Sequence, residues 1–394
     1  MNLLVLTSLW PNAEQPDFCP FVRQRIAAIA RGGEARVRVV APVPYFPRQI
    51  QSTLVPAHWR RAARIPSAER IEGIETAHPR CLVTPRVGMR FYSRWMARAV
   101  EPVLRRMQAE GPIDLIDAHY VYPDGHAAVL LARRLKLPVV ITARGSDIHQ
   151  FSQMPSIRPM IREALSAADG VIAVSEALKR RMVELGIEPE KIAVIRNGID
   201  GAIFAPRDRA QARHRLGIAA DARLVLSVGG LTPVKGFDRL IDAMAAIRDE
   251  RAVLYILGEG PERAALTDRI RAGRTAGRVF LPGARHHSEL ADWYSAADLF
   301  CLASHREGCP NVVLESMACG APVLASDVGG IAEILPPACG RVLALSSPGA
   351  FAAEITRALD ATWDRDEIAR LGAARSWREV AGEALGYYEI RGLG

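Results

Sequence analysis

Apolar runs of four to six residues alternate along the chain with segments in which apolar positions recur every third or fourth residue. The first pattern marks buried β-strands and the second amphipathic helices. Residues 3–7 read as a strand, 21–30 as a helix and 35–40 as a second strand. Further strands are expected at 115–118 and 139–142, with a helix over 125–135 between them, and the β-branched runs 171–174 and 192–195 extend the series. After a break the rhythm resumes. A strand at 224–228 leads to a helix whose inner face carries Phe237, Leu240, Ile241 and Met244. More strands are expected at 253–257, 279–281, 299–303 and 322–325. Between them Pro261 suits a first helical position, Ser288 a helix cap that runs on to Ala296, and 311–317 a helix opened by Pro310. Such alternation builds a parallel sheet covered by helices on both faces.

The break falls at Arg196-Asn197-Gly198-Ile199-Asp200, where Asn-Gly is a strong turn signal and polar residues run on through Asp208 and Arg209. The expected fold class is therefore α/β, with two doubly wound Rossmann-like domains. Their bounds are read as 1–196 and 211–375, with a linker at 197–210 and a final helix at 376–394. In sheets of this kind ligands bind beyond the carboxyl ends of the strands, so the loops there carry the chemistry.

A length of 394 residues accommodates two such domains, and 49% apolar with 24% charged residues is ordinary for a soluble protein. No run of about 18 apolar residues appears, and the opening Met1-Asn2-Leu3-Leu4-Val5-Leu6 reads as a core strand rather than a signal peptide. The six cysteines form no C-x-x-C pair, which points to reduced thiols in a cytoplasmic protein and to no metal site. The net charge of +8 changes the picture more, because it is unevenly placed. Residues 1–200 hold 28 Lys and Arg against 19 acids, whereas residues 201–394 hold 23 against 24. The excess is densest from Arg48 to Glu110. It suits an anionic partner for the first half (membrane surface, lipid phosphate or acidic saccharide) and equally an Arg-rich coding bias. Within that stretch Phe91, Tyr92, Trp95, Met96, Ala99 and Val100 share helical spacing with Arg90, Arg94, Arg98, Arg105 and Arg106 around them. An amphipathic helix covering the first sheet is the favoured reading, and docking on an anionic bilayer the alternative.

Four loops of the second half combine glycine with charge directly after a strand. Gly229-Gly230-Leu231-Thr232-Pro233-Val234-Lys235-Gly236 allows close backbone approach and places a cation near a helix start, although in isolation it reads as a glycine turn with a solvated lysine. Gly258-Glu259-Gly260-Pro261-Glu262 lacks both a P-loop lysine and a full G-x-G-x-x-G spacing, which speaks against a nicotinamide cofactor. The third loop runs from His305 through Arg306, Glu307, Gly308, Cys309 and Pro310 into a helix that contains Glu315. The N–H groups at that helix start favour a diphosphate, and two carboxylates so spaced suit hydroxyl-rich groups on either side of it. A loop charge at Glu307 and a solvent-facing Glu315 are the ordinary alternatives. The fourth loop, Ser326-Asp327-Val328-Gly329-Gly330-Ile331-Ala332-Glu333, again opens a helix with paired glycines.

Taken together these loops resemble the retaining glycosyltransferases of family 4, with the two-domain GT-B fold. Glu307 to Glu315 matches the E-x7-E motif of that family. Lys235-Gly236, Gly258-x-Gly260-Pro261-Glu262 and Asn197-Gly198-Ile199-Asp200 match landmarks around it, and His119-x-x-x-Pro123-Asp124-Gly125 and Gly145-Ser146-Asp147 resemble acceptor-domain motifs.

The resemblance implies two Rossmann-like domains facing across a deep cleft, with acceptor bound by the first and nucleotide sugar by the second. The final helix, with Trp377, Val380, Tyr387 and Tyr388, would pack back on the first domain. Glu307 would contact hydroxyls of the transferred sugar and Glu315 the ribose. Lys235 would neutralise the diphosphate, with backbone groups of Gly308, Cys309, Pro310, Asn311 and Val312 and of Gly229, Gly230 and Gly258. The base would lie at Leu281-Pro282-Gly283. His119 and Arg144 are the catalytic candidates of the first half, His119 being equally readable as a strand-end histidine satisfied by its neighbours.

Three departures stand out. Gly230 occupies a position where the family often has arginine, so diphosphate binding would lean on Arg306 or Arg144. Arg144-Gly145-Ser146-Asp147 replaces a His-Gly-x-Asp segment, and Asp17-Phe18-Cys19-Pro20-Phe21 replaces a glycine-rich loop.

The implied activity is retaining transfer of a hexose-type sugar from a UDP-, GDP- or ADP-sugar to a hydroxyl of a saccharide or lipid-linked acceptor. Surface polysaccharide, lipopolysaccharide or glycolipid synthesis is the implied setting, in the cytoplasm or peripherally on the inner face of the membrane. No metal, further cofactor or nucleic acid is expected, and no protein nucleophile. A nucleotide-sugar epimerase of the same architecture and a non-catalytic sugar-nucleotide-binding protein are the alternatives.

Overall fold

The apolar runs become the strands of two separate sheets in the computed structural model, which describes residues 1–45, 57–84, 88–273, 275–344 and 348–393. Arg48 and Arg86 of the basic stretch lie outside the described residues. The chain divides into two compact units, Met1–Asn197 with Trp377–Gly394, and Gly198–Ser376.

In the first unit the strands are β1 (Asn2–Leu6), β2 (Arg36–Val40), β3 (Val43–Pro44), β4 (Ala68–Ile71), β5 (Ile74–Ala77), β6 (Arg80–Cys81), β7 (Leu115–His119), β8 (Val139–Ala143), β9 (Gly170–Ala173) and β10 (Ile192–Val194). Eight of them form one sheet in the order β10-β9-β8-β7-β1-β2-β5-β4, parallel except for the β4–β5 hairpin, while β3 and β6 pair separately. Leu3 stands opposite Val37 on one side and Leu115 on the other, which buries β1 at the centre. One face packs on the helix Pro20–Gly32 through Val22, Ile26 and Ile29. The same core takes Trp377, Val380, Ala384 and Tyr388 from the final helix Trp377–Ile390. The helix Tyr92–Glu110 turns Met96, Val100, Leu104 and Met107 inward. Its apolar face is thus used by the protein, and Arg90, Arg94 and Arg98 stay exposed.

The second unit holds β11 (Arg223–Val228), β12 (Ala252–Leu257), β13 (Val279–Gly283), β14 (Leu299–Leu302), β15 (Val323–Ser326) and β16 (Gly340–Leu343), all parallel, in the order β13-β12-β11-β14-β15-β16. This is the 3-2-1-4-5-6 order of a doubly wound sheet. Phe300, Leu302, Leu226 and Val323 fill one face, and Val225, Leu254, Ile256 and Leu324 the other. The four inner strands β12, β11, β14 and β15 are therefore apolar on both sides, which is why these segments read as continuous rather than alternating runs.

Several local expectations change. The stretch 197–210, read as a linker, is anchored by its apolar residues. Ile199 and Phe204 are buried in the core of the second unit, and a helix already starts at Arg209. The turn and polar residues signalled a boundary, but these two apolar anchors outweigh them. The helix near Ser288 is capped by His286, whose ring accepts from the Ser288 N–H while Glu289 reaches back to the His286 N–H. Pro261 precedes its helix, which begins at Arg263 with Glu262 as cap, and Pro310 is the cap of its helix rather than the first residue. Residues 121–125 form a wide turn ahead of the helix His126–Leu135.

Candidate active site

In the second unit the chain runs outward on either side of β11, to β12 on one flank and to β14 on the other. The loops after β11 and β14 therefore open the crevice where such sheets bind ligands. Lys235 lies in the first loop and Glu307 in the second, 72 residues apart, and the fold brings them into contact. Lys235 Nζ is 2.7 Å from Glu307 Oε1, and Ser304 Oγ donates to the same oxygen at 2.6 Å. Both side chains are largely but not fully covered.

The glycines explain how the loops come so close. Gly236 has φ +63°, and a Cβ there would run into the Ala303 carbonyl at the end of β14. Gly329 has φ +59°, and a Cβ there would strike the Glu307 carbonyl. Further bonds run from His305 N to Val234 O at 2.8 Å and from Gly330 N to Gly308 O at 3.0 Å. Gly258 and Gly260 fit in the same way against the carbonyls of Gly229 and Leu231. These glycines let loop pack on loop, where the sequence suggested approach by a ligand. Gly230 is different, because a Cβ there would meet nothing closer than 3.9 Å.

The helix Asn311–Ala318 opens beside Glu307 with Pro310 as its cap, a residue that supplies no capping side chain. Its first turn also carries no acidic residue, so no carboxylate of the helix's own first turn offsets the positive end of the dipole. Glu315 is on this helix and is 4% exposed, which rules out the solvent-facing reading. Its Oε2 accepts from Tyr294 Oη at 2.9 Å and its Oε1 lies 3.4 Å from His287 Nε2. Burial, then the adjacent Glu315 charge, push the Tyr294 hydroxyl well above its usual pKa. Phe204 stacks edge-on against His287 at 4.8 Å. Sequence reasoning missed Tyr294 and His287. Both lie in the segment before β14, and only the tertiary fold carries them to Glu315.

At the end of β13, the Leu281 carbonyl accepts from Arg263 Nη2 at 2.8 Å and the Gly283 carbonyl from Gly258 N at 3.1 Å. This ties Leu281, Pro282 and Gly283 to the loop after β12. Arg306 is exposed and makes no ion pair among the described residues. Cys309 is buried and takes part in no disulfide among the described residues.

The other two candidates belong to the first unit, at the ends of β7 and β8. His119 is fully buried, with Nε2 3.0 Å from Asp117 Oδ2 and Nδ1 2.6 Å from Arg144 Nη2. Since arginine only donates, Nδ1 must accept and Nε2–H must donate to the carboxylate. Burial pushes the ring pKa down to about 4 against the pull of Asp117, so the imidazole is neutral at pH 7 with both nitrogens engaged. Burial also works against the Asp117 charge, yet His119, Arg25 and Tyr388 outweigh it and hold that carboxyl well below the usual range. Tyr388 Oη donates to Asp117 Oδ2 at 2.9 Å, so the final helix takes part in this network.

Two family descriptions match the chain in series: Glycosyltransferase Family 4 over residues 18–202 and Glycosyl transferases group 1 over residues 208–374. A D-inositol 3-phosphate glycosyltransferase of Streptomyces bingchenggensis is 31% identical, covering 72% of this chain and 70% of its own. The chain belongs to glycosyltransferase family 4. TuaC of Bacillus subtilis strain 168, a glycosyltransferase assigned to teichuronic acid biosynthesis, is 28% identical over 91% of this glycosyltransferase and 89% of its own length. Among solved structures, Anabaena HepE in complex with UDP superposes with a TM-score of 0.74 at 19% identity, covering 99% of this chain and 100% of the other. The two Rossmann-like units of this family 4 glycosyltransferase are those of the GT-B fold. Among its described residues no helix is long and apolar enough to cross a membrane.

Proposed function

We propose that this glycosyltransferase is a retaining enzyme that moves a hexose-type sugar from a nucleotide diphosphate sugar to a hydroxyl of a saccharide or lipid-linked acceptor. The observation that carries the reading is the Lys235–Glu307 contact next to a helix start with no acidic residue in its first turn. A diphosphate seated there meets a cation and a positive helix end, which together stabilise the charge that grows on the leaving phosphate. Glu307, displaced from Lys235, accepts hydrogen bonds from sugar hydroxyls. Glu315 with Tyr294 forms the wall on the ribose side, and the base lies over Leu281, Pro282 and Gly283. Lys235 and the helix end supply the positive charge that a metal ion supplies elsewhere, so the transfer is read as metal-independent. The departing phosphate removes the acceptor proton on the face it leaves, and no protein nucleophile takes part. The UDP complex of the HepE structure lends support to a nucleotide donor on this fold.

Surface polysaccharide, lipopolysaccharide or glycolipid synthesis fits this chemistry, and the teichuronic acid assignment of the B. subtilis relative supports it. Any hold on an anionic membrane surface falls to exposed arginines such as Arg90, Arg94 and Arg98, since the apolar face of their helix is buried. The stereochemical part of the reading is tested by proton NMR of the product. Retention of the donor's anomeric configuration supports it, and inversion overturns it.

A further inference from the structure

The first unit contains a cation that the donor chemistry does not use. Arg144 follows β8 at the carboxyl ends of the strands, half-buried, with its guanidinium over the Phe21 ring at 5.4 Å. Its Nη2 donates to the neutral His119 ring and its Nη1 to Asn197 Oδ1 at 3.3 Å, while its Nε is buried without a hydrogen-bond partner. No described carboxylate lies within 4.0 Å of it.

The nearby acids are committed elsewhere. Asp117 serves His119 and Tyr388 and lies 4.0 Å from Arg25, itself 1% exposed. Asp147 accepts backbone N–H bonds from Val121, Arg144, Gly145 and Ile148. Asp124 is held by the backbone and side chain of Ser8.

The one carboxylate that approaches either guanidinium, Asp117, thus lies against Arg25, and Arg144 has none within 4.0 Å among the described residues. Burial, then repulsion from Arg25, push its pKa down to about 9, the direction expected of a cation short of a counter-charge. A covered charge left without a partner is costly and marks a place prepared for a ligand of opposite sign. Asp117 fixes the His119 tautomer, and His119 and Asn197 in turn hold the two Nη atoms, so that the guanidinium is set in place with one further N–H on each Nη still to donate. Arginine suits such a task because its planar fork meets two oxygens of a phosphate or carboxylate at once.

We propose that Arg144 receives an anionic group, a phosphate or carboxylate, carried by the sugar acceptor of this enzyme, with His119 as its positioning residue. The proposal rests on the reading of the chain as a glycosyltransferase whose first unit binds acceptor. It narrows the acceptor to acidic saccharides and phosphate-bearing alcohols.

The same cation would also suit the donor diphosphate, so the test separates the two sources. Inorganic phosphate, and malonate as a carboxylate probe, are titrated calorimetrically into the full chain with and without saturating UDP. Wild type is compared with Arg144→Gln and Arg144→Lys, each first checked by circular dichroism and melting temperature. The expected result is binding of one or both anions to the UDP-loaded wild type, at least tenfold weaker in Arg144→Gln and partly restored in Arg144→Lys. UDP affinity should stay within twofold. Should Arg144→Gln not fold, the Lys variant must still differ from wild type in anion affinity at equal UDP affinity. Anion binding that is absent in wild type or unchanged in the variants overturns the proposal. UDP affinity that falls in step with anion affinity overturns it too, assigning Arg144 to the donor. No turnover is needed, so a protein that binds these anions through Arg144 but transfers no sugar would contradict the donor chemistry alone.

Discussion

Lys235 Nζ and Glu307 Oε1 are 2.7 Å apart, so the two groups assigned to the donor's phosphate and sugar neutralise each other while no donor is bound. Donor binding must therefore replace an ion pair, and a diphosphate has to compete with Glu307 for the lysine. Removing the competitor should help the nucleotide and harm the reaction. Glu307→Gln is expected to bind UDP as tightly as wild type or up to about tenfold more tightly, while turnover falls by about 100-fold or more, the scale of losing a group that acts in the transition state. Calorimetry with UDP beside initial-rate kinetics checks this. Weaker UDP binding in the variant would show that the pair is not in competition with phosphate.

Two glycines in neighbouring loops should respond in opposite ways. Gly329 combines a left-handed φ with a Cβ position against the Glu307 carbonyl, whereas Gly230 faces open space. Gly329→Ala is expected to cost about 2 kcal/mol or more, because the neighbour is backbone and has nowhere to go. Gly230→Arg should leave stability unchanged within about 0.5 kcal/mol. It should also tighten UDP binding several-fold by adding the second cation that the family often carries there. Urea unfolding and UDP titration of both variants decide the matter.

Tyr294 makes the shorter of the two side-chain contacts to Glu315 given by the described residues, 2.9 Å against 3.4 Å for His287. Tyr294→Phe removes that bond inside a covered site and should destabilise the protein by about 1–3 kcal/mol. UDP affinity should weaken at the same time if Glu315 faces the ribose. A stability loss with unchanged UDP affinity would make the pair purely structural.

Asp124 supplies a pH-dependent test. Burial raises its pKa from 3.8 to about 7 in the folded chain. The folded state therefore holds this proton more strongly than the unfolded state, and the associated stability is complete below pH 4 and is lost as pH rises through 7. Asp124→Asn keeps the shape of the protonated form and lacks that loss. Relative to wild type it should gain stability with a slope of up to ~1.4 kcal/mol per pH unit between pH 4 and 7 and level off above. Urea midpoints at pH 5, 6, 7 and 8 measure the slope, and a flat difference would contradict it.

Much of this was legible in the order of residues because doubly wound sheets place chemistry by rule. Once the strands ending at 228 and 303 are recognised, the loops holding Lys235 and Glu307 are the place to look. What escaped had no local signal. The contact of Tyr388 with Asp117 spans 271 residues, and that of Tyr294 with Glu315 joins a helix to the helix after the next strand. The glycines were read for close approach by a ligand, whereas their use in packing loop against loop depends on carbonyls far away in sequence. Strands β3 to β6 are only two to four residues long, too short for periodicity to register. Ile199 stands alone and Phe204 lies in the four-residue run Ala202-Ile203-Phe204-Ala205, too short to show a period, and only the core that receives them shows what they do.

Acceptor-stimulated nucleotide release is the most direct test of the central claim. Purified protein is offered UDP-, GDP- and ADP-sugars, with EDTA present, with and without a pooled extract of lipid-linked and acidic saccharide acceptors, and Glu307→Ala is run beside it. The account predicts release of one nucleotide class that requires acceptor, persists in EDTA and disappears in the variant. Release that ignores the acceptor, a new nucleotide sugar formed without one, or full activity in Glu307→Ala would contradict it.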